Sequence, residues 1–175
     1  MSRLIFAVLI LLAASQSQAA ITPYGEVRLG ASAVHHSELD FYPAFGSFSA
    51  GVFVFDNIGI EGFISTPISS HETDGFDLDI AQTSGAALRL QSPSQLGGLE
   101  AYILLGYVNF KLEQEGEFDE RLVTSSFNGV RVGIGVHQRL KSVNGLIFGL
   151  EYRNDYTDTG ITVDGLSFGL RYEMP

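Results

Sequence analysis

Hydrophobic and polar positions alternate along most of the chain, and the alternation is clearest in residues 163–174. One side of an extended chain there would carry the apolar residues Leu166, Phe168, Leu170, Tyr172 and Met174. Glycines and charged residues occupy the positions between them. A period of two residues predicts a β-strand with one apolar and one polar face. The pattern Gly-Leu-X-Phe-Gly-Leu-X-Tyr occurs at both 145–152 and 165–172, which predicts two neighbouring strands of a hairpin.

The same alternation predicts an all-β fold. Eight strands are expected, at residues 22–34, 47–55, 58–66, 76–91, 99–113, 126–140, 146–153 and 163–174. Their connections are alternately short and long, and the long ones are acidic: 34–45, 67–75, 114–124 and 154–161. This order predicts an antiparallel up-and-down barrel with short turns at one end and long acidic loops at the other.

Each strand can be assigned an apolar face, except the second, whose two faces are both apolar. On the fourth strand that face is predicted to include Phe76, Leu78 and Ile80, and on the fifth strand Tyr102, Leu104, Val108, Phe110 and Leu112. Aromatic residues of the apolar faces fall near the strand ends, at Phe76, Phe110 and Tyr152 towards the long loops and at Tyr102 and Tyr172 towards the short turns. Two such belts are typical of a barrel that crosses a membrane.

Alternation alone does not tell which face is inside. A soluble lipocalin-like binding barrel would turn the apolar face inward, whereas a transmembrane barrel turns it towards lipid. The polar face carries glycines and charges of both signs: Glu26, Arg28, Glu61, Arg89, Arg131, Glu151, Arg171 and Glu173. This composition favours a narrow, filled lumen, so we expect these eight residues to form an internal charge cluster. Closure by pairing of the last strand with the first would bring Arg171 and Glu173 near Glu26 and Arg28.

The first 19 residues have the features of a signal peptide. A basic residue, Arg3, precedes an apolar run over 4–14 that is too short to span a bilayer, and small residues occupy positions 17 and 19. Cleavage is expected after Ala19, which divides the chain into a signal peptide (1–19) and an outer-membrane β-barrel domain (20–175).

The end of the chain resembles that of the small eight-stranded outer-membrane barrels of the OmpA-like and OmpX-like kind. The run Ser-Phe-Gly-Leu-Arg-Tyr-Glu-Met at 167–174 is similar to their C-terminal assembly signal, with Gly169, Tyr172 and Met174 at its key positions. Met174 stands where an aromatic residue is usual, and Pro175 follows it. The resemblance implies a location in the outer membrane of a Gram-negative bacterium, in contact with membrane lipid and lipopolysaccharide. It also implies a transient partner, the barrel-assembly machinery.

Composition narrows the possible functions. The formal net charge is −10, which argues against nucleic acid as a partner because binding phosphates needs a basic surface. Cysteine is absent, so neither disulfides nor thiolate chemistry is expected. A barrel of eight strands has an interior that side chains fill, and any porin-like conductance should therefore be small.

Candidate chemistry is concentrated in the predicted long loops. His35, His36, His71 and Glu72 provide imidazole and carboxylate groups suited to zinc, and the three histidines could also serve a lipid A-modifying acyltransferase or hydrolase. Neither set has a diagnostic spacing, so we expect no catalytic site, no bound metal and no cofactor. The sequence favours a structural or surface-interaction (adhesin-like) role, with an extracellular ligand bound by the acidic loops, over a lipid A-modifying enzyme or a soluble binding barrel.

Overall fold

The structure is a computed structural model that describes residues 21–36, 39–69, 71–73, 76–94, 97–116, 119–158 and 160–174. Its strands are β1 (Thr22–His36), β2 (Leu39–Phe41), β3 (Ala44–Phe55), β4 (Ile58–Ser69), β5 (His71–Thr73), β6 (Phe76–Gln91), β7 (Leu99–Gly116), β8 (Asp119–Arg139), β9 (Leu146–Asp158) and β10 (Ile161–Glu173). In this part of the chain, no helix is long and apolar enough to cross a membrane. The predicted signal peptide lies outside the described residues and stays a prediction.

Eight long strands form a closed antiparallel barrel. Each pairs with its neighbours in chain order, and β10 also pairs with β1. The closing register sets Glu26 opposite Arg171 and Tyr24 opposite Glu173. The prediction of an eight-stranded up-and-down barrel is therefore confirmed, and closure leaves no free sheet edge around the middle of the molecule.

The outer connections differ from the predicted long loops because much of their length is strand. β7 and β8 continue through the acidic segment and are separated by residues 117 and 118. β9 and β10 likewise extend through most of the segment 154–161. The short strands β2 and β5 pair with β1 and β6 within the other two connections. Beyond the apolar band, apolar and polar residues no longer alternate in the sequence, but the strands continue to pair. Hydrophobic periodicity therefore underestimates the length of these strands.

Two ladders between neighbouring strands end before the strands themselves do at the long-strand end, which we call the outer end. The β8–β9 ladder stops at Val132 and Asn154, although β8 continues to pair with β7 as far as Asp119. The β4–β6 ladder stops at Ser65 and Thr83. Above these two levels the described strands form two sheets, one of β5–β6–β7–β8 and one of β9–β10–β1 with β2, β3 and β4.

The barrel exposes a broad apolar band and buries charged side chains. Exposed positions include Val27, Leu29, Phe48, Ile60, Ile64, Leu88, Leu90, Ile103, Leu105, Val132, Ile134, Phe148, Leu150, Leu166, Phe168 and Leu170. Buried positions include Glu26, Arg28, Glu61, Arg89, Glu100, Arg131, Glu151, Arg153, Asp155 and Arg171. The polarity is thus reversed relative to a water-soluble barrel.

The predicted orientation of the fifth predicted strand, β7, is wrong. The side chains assigned to its outer apolar face are buried inside the barrel: Tyr102, Leu104, Val108, Phe110 and Leu112. Ile103 and Leu105 point outward instead. Both faces of β7 carry apolar residues, so alternation did not distinguish them.

Two further orientations needed the structure. Ile80 is buried because a bulge between Ile80 and Gln82 reverses the alternation of β6. On β3, whose orientation the sequence left open, Phe53 is buried and Phe48 is exposed. The predicted aromatic belts therefore lose Tyr102 and Phe110, which lie inside, and keep Tyr152 and Tyr172, which are exposed. The side chain of Phe76 lies outside the described residues.

Candidate functional site

Arg89, on β6, is at the centre of a charge network in the half of the lumen nearer the short turns. Its Nη2 lies 2.8 Å from Oε2 of Glu61 and 3.3 Å from Oε2 of Glu26. Its side chain is fully buried, so the two carboxylates replace the water it would otherwise bind. A buried guanidinium is tolerated only with such partners.

Arg28 extends the network across the lumen. Its Nη2 lies 2.8 Å from Glu26, and its Nη1 lies 2.9 Å from Glu151. The hydroxyl of Tyr102, a residue predicted on the outer face, donates to Glu151 at 2.8 Å. The hydroxyl of Tyr24 donates to Glu61 at 2.7 Å.

Close packing of the wall makes room for these long side chains. A Cβ atom on Gly135 would overlap the ring of Tyr102, and one on Gly169 would overlap the side chain of Arg28. Glycine on the inner face thus lets one large residue cross the space that two side chains would otherwise share.

The mouth at the short-turn end is closed by further ion pairs. Arg171 Nη2 lies 3.2 Å from Glu173 and donates to Gln91 at 3.0 Å. Arg139 bridges Glu173, at 2.8 Å, and Glu100, at 3.1 Å. Six of the eight predicted cluster residues (Glu26, Arg28, Glu61, Arg89, Glu151 and Arg171) therefore line one continuous charged interior, and Glu173 lies at its mouth.

Arg131, the remaining residue of the predicted cluster, belongs to a second group nearer the outer end. It pairs with Asp155, which also binds Arg153 at 2.9 Å. The two guanidinium groups lie over aromatic rings, Arg131 at 3.6 Å from the ring centre of Phe63 and Arg153 at 3.9 Å from that of Phe45. Such cation–π contacts add to the carboxylate pairing at this buried site.

Sequence reasoning missed three buried charged residues of the interior: Glu100, Arg153 and Asp155. Glu100 shares the face of β7 that was assigned outward. Arg153 marked the end of a predicted strand, and Asp155 was assigned to a loop. The alternation Glu151–Arg153–Asp155, read two residues further along the chain, would have identified the last two.

An apolar cluster fills the lumen at the outer end. It contains Val34, Phe41, Phe63, Ile80, Val108, Phe110, Leu112 and Val163. Phe127 and Tyr156 pack against it, with ring centres 5.3 Å and 5.5 Å from that of Phe110. Charged side chains therefore fill only part of the lumen, in contrast to the expectation of a wholly charged interior.

The predicted loop histidines are only partly described. His35 Nδ1 lies 2.7 Å from Asp40 Oδ1, and both side chains are about half exposed. The side chains of His36, His71 and Glu72 lie outside the described residues. No group of three or more potential metal ligands occurs among the residues whose side chains are described. A metal or acyl-transfer role for these histidines stays untested.

The predicted assembly signal lies on the closing strand. Gly169 faces inward beside Arg28, while Tyr172 and Met174 are exposed on the outer face. An exposed aromatic pattern on a terminal strand is accessible to a protein that captures the strand before closure. Recognition by the barrel-assembly machinery remains a prediction.

Comparison with known families supports a membrane setting for this inverted barrel. Residues 4–173 match the model of the outer membrane protein beta-barrel domain. The chain belongs to this family. Its exposed apolar band therefore faces lipid. The soluble lipocalin-like alternative requires an apolar interior, and the charged half of the lumen nearer the short turns gives it no support.

Solved structures of small outer-membrane barrels have the same fold. Neisserial surface protein A (NspA) is 15% identical, with a TM-score of 0.66 over 89% of this chain and 100% of NspA. The attachment invasion locus protein Ail of Yersinia pestis is 14% identical, with a TM-score of 0.64 over 89% of this chain and 100% of Ail. The N-terminal barrel of Pseudomonas aeruginosa OprF is 13% identical, with a TM-score of 0.52 over 84% of this chain and 97% of that domain. At this identity the likeness concerns the fold. A search of curated protein sequences finds no match.

Proposed function

We propose that this outer-membrane barrel is an adhesin-like surface-interaction protein whose outer end binds a basic polypeptide segment. The observation that carries the proposal is the edge of β8. Between Asp119 and Asn128 this strand has a ladder partner on one side, β7, among the described residues, whereas Gly129 still lies close to the backbone of Asp155 on β9. An unpaired strand edge offers backbone N–H and C=O groups to a partner strand.

The charge of the outer end supports a basic partner. Five arginines are buried in the lumen: Arg28, Arg89, Arg131, Arg153 and Arg171. Arg139 and Lys141 lie at the short-turn end. Of the basic residues after residue 20, this leaves Lys111 and Arg121 for the outer segments. Those segments contain many carboxylates: Glu38, Asp40, Glu72, Asp74, Asp77, Asp79, Glu113, Glu115, Glu117, Asp119, Glu120, Asp158 and Asp164. An acidic surface attracts cationic partners and repels anionic ones.

A structural neighbour provides a contrast. Ail was solved in complex with the heparin analogue sucrose octasulfate, which is a polyanion. The excess of carboxylates on this chain favours a ligand of the opposite charge, so we expect such an anion not to bind here.

The proposal can be tested with the barrel in lipid nanodiscs and a synthetic peptide of alternating lysine and valine. We expect binding that weakens as salt is raised from about 0.01 M to 0.15 M, because the screening length falls from about 30 Å to about 8 Å. A peptide of alternating lysine and proline, which has the same charge but cannot pair as a strand, should bind more weakly.

Two matched variants locate the interaction. Ser126→Lys adds a cation to the exposed face of β8 and should weaken binding, whereas Ser94→Lys adds the same charge at the opposite end and should leave it unchanged. Equal binding of both peptides would contradict the strand-edge mechanism. Equal effects of the two lysine variants would contradict the assignment to the outer end.

A further inference from the structure

Two asparagines of the chain are followed by glycine, and the structure places these two dipeptides in opposite settings. Asn144 and Gly145 belong to the turn between β8 and β9, whereas Asn128 and Gly129 lie within β8. The backbone nitrogen of a residue that follows asparagine can attack the side-chain amide of that asparagine. Glycine favours this reaction because it has no Cβ atom to shield the nitrogen and allows a wide range of backbone conformations.

The turn that contains Asn144 is exposed. The side chains of Asn144 and of residues 141–143 all face water at the short-turn end. The N–H of Leu146 donates to the carbonyl of Val143 at 3.3 Å, which closes a β-turn with Asn144 and Gly145 at its centre. Among the described backbone hydrogen bonds of the turns, none has the N–H of Gly145 as its donor. Both reacting groups are therefore accessible to water.

The fold requires glycine at position 145. Its φ angle is +79°, in the left-handed region that favours glycine, and an added Cβ atom would overlap the backbone oxygen of Glu173. The carbonyl of Gly145 accepts a hydrogen bond from the N–H of Glu173 at 2.8 Å, which attaches the turn to the closing strand β10. A residue with a side chain would disturb this attachment, so Asn144 remains followed by glycine.

Asn128 has the same following residue but lies in a paired strand. It is opposite Asn109 of β7, whose Nδ2 donates to Asn128 Oδ1 at 2.6 Å. Attack on an asparagine side chain requires rotation about its ψ angle, and a paired strand must open locally before that rotation can occur. Local opening costs little in an exposed turn and much more in a paired strand, so we expect Asn128 to be protected.

We propose that Asn144 is a site of spontaneous deamidation in the folded barrel. The backbone nitrogen of Gly145 attacks Cγ of Asn144. A bond forms between these two atoms, the bond between Cγ and Nδ2 breaks, and ammonia leaves with the proton of the Gly145 amide. Water then opens the resulting succinimide ring at either of its carbonyl carbons, which gives aspartate or isoaspartate. The water molecule is the co-reactant, and it comes from the solvent around the turn.

The modification changes both the charge and the backbone of the turn. Either product adds a carboxylate beside Lys141 at the short-turn end. Isoaspartate also adds one methylene group to the backbone before Gly145, which displaces the Gly145 carbonyl from the N–H of Glu173. The modified fraction increases with the time that a barrel has spent folded, so older molecules differ from new ones in the attachment of this turn to β10.

The test is peptide mapping by mass spectrometry after incubation of the barrel in lipid nanodiscs at mildly alkaline pH. Trypsin releases residues 142–153, in which Asn144 is the one asparagine, and residues 122–131, in which Asn128 is the one asparagine. In the folded barrel, Asn144 should gain the mass of deamidation about tenfold faster than Asn128, because opening of the strand is costly. In urea the two rates should be similar, since the unfolded chain protects neither.

Two variants complete the test. Asn144→Gln keeps the amide but lengthens the side chain, which disfavours closure of the ring, so its peptide should keep its mass. Asn144→Asp supplies a reference peptide: one product from the wild-type barrel should co-elute with it, and a second, isoaspartyl product should elute separately. Equal rates at Asn144 and Asn128 in the folded barrel would overturn the proposed site. A single aspartyl product would overturn the succinimide mechanism.

Discussion

Arginine side chains are the residues that most distinguish the interior of this barrel from an ordinary protein core. Arg89 and Arg171 are each fully buried, and their contacts alternate between carboxylates and aromatic rings. Removing one partner from such a pair leaves the other charge buried without compensation, which costs about 3–5 kcal/mol. The contribution of each ion pair to the free energy of unfolding therefore depends on both residues being present.

Arg89→Met should lower the free energy of unfolding by about 3 kcal/mol, because Glu26 and Glu61 lose a shared cation while the side-chain volume is nearly kept. Urea unfolding in lipid vesicles, followed by tyrosine fluorescence, measures the change. Lys141→Met, in an exposed turn, should leave the unfolding midpoint unchanged. If Arg89→Met behaved like this control, the network would have no role in stability.

For individual residues, the sequence predicted which side chains face the lumen better than it predicted which side chains pair with each other. Glycines and mixed charges on one face indicated that Glu26, Arg28 and Glu61 share a surface, since only a narrow lumen suits that composition. The pairing of Tyr102 with Glu151 could not be predicted, because it depends on which face of β7 is inside. The metal and acyl-transfer hypotheses for the histidines depend on side-chain geometry that sequence spacing does not determine.

Among the elements, β7 shows the limit of hydrophobic alternation. Its inner face packs against charged residues at one end and joins the apolar cluster at the other, so both faces are apolar over much of its length. The polar residues Asn109 and Lys111 suggested an inner face, but they lie on the exposed side above the lipid-facing band. Alternation assigns a face reliably only where a strand lies in a single environment.

The revised orientation of β7 predicts a position-specific effect. Leu105→Arg puts a charge near the centre of the lipid-facing band and should cost about 2–4 kcal/mol. Asn128→Arg, exposed above the band, should cost less than about 1 kcal/mol. Urea unfolding in vesicles compares them, and a similar loss for both would mean that Leu105 does not face lipid.

For the whole molecule, two kinds of filling close the lumen. Ion pairs occupy the part nearer the short turns, and the apolar cluster occupies the outer end. This division follows the surroundings of the wall. Where the outer face of the wall contacts lipid, the polar side chains lie in the lumen. Where the outer face contacts water, the barrel has an apolar core like that of a soluble protein.

Because ion pairs fill one part of the lumen and the apolar cluster fills the other, we expect that the barrel does not act as a pore. In planar bilayers, the purified protein should give no steady conductance steps above the background of the membrane. Simultaneous Phe110→Ala and Arg89→Ala substitutions open both layers and should increase ion flow. Steady, large conductance by the wild-type barrel would contradict a filled interior.

The change of environment along β10 also determines how thick a bilayer this protein suits. Outward-facing apolar residues extend from Leu166 to Met174, and the next outward residue, Asp164, binds the hydroxyl of Tyr152 at 2.8 Å. About nine to eleven residues of tilted strand cross a hydrocarbon core, so the apolar stretch is at the lower end of that range. A thicker membrane would bring Asp164 into hydrocarbon or would have to thin around the protein, and such hydrophobic mismatch costs fractions of a kcal/mol per Å. Bacterial outer membranes are thinner than average, so the height of the apolar band suits this barrel to that membrane.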